Sequence, residues 1–160
     1  MSASRGSMHD RRRAALQALY QFDCGRAGEP ELVRAALALQ ASGAAGAEAD
    51  ADSCQLAPES VGPGFELASH AWERRAEADR AVSEFAAEWP THRQPTIDRS
   101  ILRLAHYEMT SGGVPHAVAI DEAVELAKAF GTERSAAFIN AVLDRIAQRA
   151  RSGSDAQGSS

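Results

Sequence analysis

The 160-residue chain is short of lysine, cysteine and aromatic residues, with one lysine, two cysteines and 6% Phe, Trp and Tyr. Cys24 and Cys54 stand too far apart for a CxxC pair and are too few for a disulfide framework. No run approaches the roughly 18–20 apolar residues of a membrane span. The first residues, MSASRGSMHDRRR, hold no apolar stretch that would act as a secretory signal. These absences lead us to expect a reduced, cytoplasmic protein with no membrane attachment.

Catalytic signatures are missing as well. There is no HExxH pair, nucleophile elbow, Walker loop or glycine-rich dinucleotide turn, and Val61-Gly62-Pro63-Gly64 lacks the Lys and Ser/Thr of a phosphate loop. His9, His70, His92, His106 and His116 fall at no spacing that converges on a metal. A solvated helix face explains the acids Asp121, Glu122 and Glu125. No enzyme, catalytic residue, cofactor or metal is expected.

What the chain does contain is 44% hydrophobic residues, enough for a sizeable core, and a polarised charge. Net charge is −5, yet residues 1–26 carry Arg5, Arg11, Arg12, Arg13 and Arg26 against Asp10 and Asp23, a local +3. Residues 64–90 carry six acids against three arginines, so a basic end sits on an acidic body. The Arg11-Arg12-Arg13 run could neutralise phosphates and stack on unpaired bases. A solvated N-terminus is the plainer alternative.

Apolar residues recur at helical spacing and nowhere in strand-like alternation, so the fold class is all-α. The first helix carries Ala15, Leu16, Leu19, Tyr20 and Phe22. The second, over Glu31–Gln40, places Leu32, Ala35, Ala36 and Leu39 on one face. A third runs over 64–88 with Phe65, Ala68, Trp72, Ala76, Val82 and Phe85, and its aromatic residues, with Trp89, read as core. Pro90 and Pro95 stop it. A fourth follows with Thr96 as N-cap, Asp98 in its first turn and Ile97, Ile101, Leu104, Ala105 and Met109 inside. The fifth has Pro115 in its first turn, Val118, Ile120, Val124, Ala127 and Phe130 inside, and Gly131 as its stop. Thr132 caps the sixth, whose free N–H groups beside Lys128 and Arg134 suit a phosphate. The expected organisation is a flexible N-terminus over 1–9, one helical domain over 10–150 with a flexible Ala/Gly-rich insertion at 41–63, and a disordered tail over 151–160.

Four blocks then occur in order. They are Arg-Arg-Arg-Ala-Ala-Leu-Gln-Ala-Leu-Tyr-Gln over 11–21, Ile97-Asp98-Arg99-Ser100-Ile101-Leu102-Arg103-Leu104-Ala105-His106-Tyr107-Glu108-Met109, Val118-Ala119-Ile120-Asp121-Glu122-Ala123-Val124-Glu125-Leu126-Ala127-Lys128 and Phe138-Ile139-Asn140-Ala141-Val142-Leu143-Asp144-Arg145-Ile146-Ala147. The series resembles the bacterial transcription antitermination factor NusB family. Asn140-Ala141 replaces the family's usual Asn-Gly, and Asp121-Glu122 its Asn-Glu. The resemblance implies two small helical bundles packed together, of six to seven helices, without enzymatic activity. It implies binding to the boxA element of nascent ribosomal RNA with the ribosomal protein NusE, in an RNA polymerase complex with NusA and NusG. It admits a homodimer. Carried over residue by residue, it points to Arg11, Arg12, Arg13, Gln17, Tyr20, Arg103, Lys128, Phe130, Gly131, Thr132 and Arg134 for RNA. Asp98, Tyr107 and Glu108 then stand nearer the NusE side. Two alternatives are a protein-interaction module without RNA binding and an accessory domain of an RNA methyltransferase.

Overall fold

A computed structural model describes residues 5–43 and 56–157. Among these residues the structure is all-α, with seven helices and no strand. The helices are α1 (Arg5–Gln21), α2 (Pro30–Ala41), α3 (Val61–Glu73), α4 (Arg75–Phe85), α5 (Thr96–Thr110), α6 (His116–Phe130) and α7 (Ser135–Gln157). None is long and apolar enough to cross a membrane. The chain divides into two compact units, Met1–Glu73 and Arg74–Ser160.

The first unit packs α1 against α3, with α2 alongside. Ala14, Ala15, Leu16, Ala18, Leu19 and Phe22 of α1 and its exit are buried. Phe22 meets the Phe65 ring edge-on at 5.9 Å and the Trp72 ring at 5.7 Å. The face of α2 is a correction. Val33, Leu37 and Ala41 are buried, whereas Leu32 and Leu39 are 55% and 56% exposed. With leucine and alanine on both sides of the helix, spacing alone does not decide which stripe faces inward.

The expected third helix is two helices, broken at Arg74 (φ −102°, ψ 15°) where the two units divide. The break has a packing cause: α3 buries Leu67, Ala68 and Ala71 in one core, and α4 buries Ala78 and Val82 in another. No Gly or Pro marks the spot.

In the second unit α5 is surrounded by α4, α6 and α7. Every residue from Ser100 to His106 is buried. A helix enclosed on all sides carries its polar residues inward, and each then needs a partner. Pro95 is the N-cap of α5, one position before the expected Thr96, and Pro115 is the N-cap of α6 rather than a first-turn residue. α5 ends before Gly113, whose φ of +68° favours glycine. In α6 the buried set is Ala119, Ala123, Leu126 and Ala127, and Val118 is 43% exposed rather than inside. Trp89 packs on Phe138 with ring centroids 4.6 Å apart.

Three further boundaries differ from expectation. Helix α1 begins inside the segment expected to be a flexible N-terminus, and α7 continues to Gln157 through most of the expected tail. The insertion at 41–63 is structured at both ends: Ala41 closes α2, and a short 3-10 turn, Pro58–Ser60, leads into α3 with Leu56 and Val61 buried. Its centre, 44–55, lies outside the described residues.

Candidate nucleic-acid interface

Consecutive residues of an α-helix point about 100° apart. The Arg11-Arg12-Arg13 run in α1 therefore cannot form one patch, and its three side chains have three environments. Arg11 is exposed, Arg13 is half-buried and Arg12 is 3% exposed. The expectation of three surface guanidinium groups is corrected to two. Positions i, i+4 and i+7 do share a face, which places Arg13, Gln17 and Tyr20 in line. Tyr20 is 42% exposed there, a large aromatic ring presented outward from the helix.

In the second unit Arg103 is also inside the fold. It is 8% exposed, and its Nε and Nη2 donate to the two carboxylate oxygens of Asp79 at 2.9 and 2.8 Å. This fork-on-fork pair joins α5 to α4 and satisfies a charge that α5 carries into the core. The expected place of Arg103 on an RNA surface is thereby corrected to a structural one. Lys128, by contrast, is exposed, and its Nζ stands 3.6 Å from Glu125 in an exposed pair that water and salt exchange readily. Arg134 is exposed as well.

Between these two cations the chain passes from α6 to α7 through Phe130, half-buried, Gly131 and the exposed Thr132. The junction is tied from within. Ser135, fully buried, donates its hydroxyl to Asp98 Oδ1 at 2.8 Å and accepts the Thr132 N–H at 2.9 Å. The Ser135 N–H donates to the Thr132 carbonyl at 3.1 Å. Two of the amides expected to be free for a phosphate are thus used internally. Gly131 is at φ −94°, an ordinary backbone conformation, so its need for glycine is one of space. A Cβ there would come within 2.7 Å of the Ser135 Cβ and Oγ.

The expected partner-facing residues separate in the same way. Asp98 is 1% exposed and Glu108 is 5% exposed, while Tyr107 is half-buried. Both carboxylates are buried in the packing of α5. Burial pushes the Asp98 carboxyl above its usual range, and the Ser135 hydrogen bond opposes the shift. Burial pushes the His106 imidazole down, against the nearby acids Glu77 and Asp79.

Asp79 and Ser135 are the residues that sequence reasoning missed. Asp79 is one of six acids in its stretch and carries no signal. Ser135 has a weak one, a hydroxyl residue three positions after Thr132 at a helix start.

Comparison with known proteins places these residues in a family. The NusB family profile matches residues 9–148. The transcription antitermination protein NusB of Symbiobacterium thermophilum is 38% identical over 136 residues, covering 84% of this chain and 85% of the relative. That of Desulforapulum autotrophicum is 42% identical over 144 residues, covering 87% and 92%. The solved structure of T. maritima NusB superposes with a TM-score of 0.68 at 28% identity, covering 92% of this chain and 93% of that one. With the order of motifs, the all-helical architecture and the length of the match in agreement, the chain belongs to the NusB family.

Proposed function

We propose that this protein acts in transcription antitermination by binding the boxA element of nascent ribosomal RNA together with NusE, within an RNA polymerase complex that includes NusA and NusG. The observation that carries the reading is the match, over 84% and 87% of the chain, to two proteins named for transcription antitermination. In the first unit Arg11, Arg13 and Gln17 contact the RNA, and Tyr20 offers a ring on which an unpaired base stacks. In the second, Lys128, Phe130, Gly131, Thr132 and Arg134 supply two exposed cations and a backbone turn. Arg12 and Arg103 act through the fold. Tyr107 faces NusE, with Asp98 and Glu108 holding α5 beneath it.

Few exposed cations on a body of net charge −5 make RNA binding modest and selective. Three to four phosphate contacts at about −0.7 each predict a salt slope of roughly −2 to −3. A second subunit that extends the surface raises affinity by linking two weak sites. The test is boxA and scrambled RNA titrated with and without NusE across a salt series. Preference for boxA, strengthened by NusE and lost in Arg13→Ala/Tyr20→Ala, is expected. Equal affinity for both RNAs with NusE present overturns the reading in favour of a protein-interaction module.

A further inference from the structure

The hydroxyl groups at the α6–α7 junction have an order that proton counting fixes. A serine hydroxyl carries one proton. That of Ser135 goes to Asp98 Oδ1, so it is not available to Thr132 Oγ1, which stands 3.1 Å away. At this second contact Thr132 is the donor and Ser135 Oγ the acceptor. The Thr132 proton is therefore committed inward, and its exposed hydroxyl offers lone pairs outward. Asp98 anchors this order: its other oxygen, Oδ2, is buried with no hydrogen-bond partner, and the side chain makes its one bond to Ser135. Gly131 lets it form, because a side chain at that position would displace the Ser135 hydroxyl.

An acceptor at this point repels phosphate oxygens, which carry no proton, and attracts a donor. Single-stranded RNA presents one at every nucleotide whatever the base, the ribose 2′-hydroxyl. Lys128 and Arg134, on either side in the chain, are the groups suited to the phosphates. We propose that Asp98 acts through Ser135 as a positioning residue that makes Thr132 a hydrogen-bond acceptor, and that Thr132 takes the 2′-hydroxyl of bound RNA. The proposal rests on the RNA-binding reading above and adds to it the discrimination of RNA from DNA.

The experiment is fluorescence anisotropy with a boxA RNA oligonucleotide and a DNA of the same sequence, using the full chain with NusE. Thr132→Val removes the acceptor at an exposed position and is expected to weaken RNA binding about five-fold, the worth of one hydrogen bond, with DNA binding unchanged. Thr132→Ser retains the preference. Asp98→Asn keeps an acceptor for Ser135 and also retains it. Asp98→Ala releases the Ser135 proton toward Thr132 and reproduces the Thr132→Val loss; should that variant not fold, the Thr132 pair alone decides. Wild-type protein that binds RNA while Thr132→Val binds it equally well, or loses RNA and DNA affinity alike, overturns this proposal and leaves the RNA reading standing. Wild-type protein that binds no RNA overturns both.

Discussion

The contact between α1 and α3 depends on the absence of one carbon atom. A Cβ at Gly64 would lie 2.4 Å from the Ala14 Cβ, 2.9 Å from the Arg11 carbonyl oxygen and 3.1 Å from the Ala15 nitrogen. Ordinary carbon–carbon contacts are about 3.5–4.0 Å. None of these neighbours is the end of a flexible chain, and Ala14 and Ala15 are fully buried. Gly64→Ala must therefore separate the helices by something on the order of 1 Å or strain both backbones. Overpacking of this kind costs about 1–3 kcal/mol, against which alanine's better helix propensity returns up to roughly 1 kcal/mol. The net expectation is a loss of about 1–2 kcal/mol, or roughly 2–8 °C in melting temperature for a chain of this size. Gly62→Ala, in the same helix, is the control. Its Cβ meets no atom closer than Arg34 Nη2 at 3.9 Å, so the propensity gain stands alone, and stability rises by a few tenths of a kcal/mol to about 1. Urea unfolding of the full chain followed by circular dichroism measures both. Gly64→Ala at or above wild-type stability, or two variants shifting in the same direction, refutes the close-approach argument.

Three further outcomes follow from the same structure. Because burial raises the folded Asp98 pKa above its ordinary 3.8, folding penalises the charged carboxylate relative to the unfolded chain, and the stability that accompanies the protonated form is lost as pH rises through the folded value. The stability of Asp98→Asn relative to wild type should therefore climb as pH rises above about 4, and urea midpoints that differ by a constant amount above that pH would contradict it. His106 has the opposite sign: its folded pKa is depressed below 6.5, so stability is present above that pH and lost as pH falls through the folded value. Its replacement by Gln should flatten the acid limb below pH 6.5, and an unchanged limb would remove His106 as the cause. The orientation of α2 predicts that Leu37→Ala costs about 2–5 kcal/mol and Leu39→Ala, at a half-exposed position, well under 1. Equal costs in the same unfolding assay would show that the helix is turned the other way.

The same pair of leucines shows why only part of the fold was legible beforehand. Helical spacing and the stops at Pro90, Pro95, Pro115 and Gly131 are local information, and they place α5, α6 and the start of α7 to within a few residues. Which side of a helix is covered depends on neighbours distant in sequence. In α2 and α6 apolar residues occupy both sides, and the covered stripe is not the one suggested by spacing. The break at Arg74 has a similar origin, since no residue there resists helix and only the change of core on either side interrupts it.

The site divides along the same line. Residue type, order and spacing alone determined that the chain is all-helical, that its four motif blocks are those of NusB proteins and that residues 1–26 carry a local excess of positive charge on a chain of net charge −5. Tertiary structure decided what those charges can do. It buried Arg12, turned Arg103 onto Asp79 and Asp98 onto Ser135, and left Lys128, Arg134 and Tyr20 outside. A charge is visible in a sequence, but its availability depends on whether a partner from another helix arrives to desolvate and satisfy it.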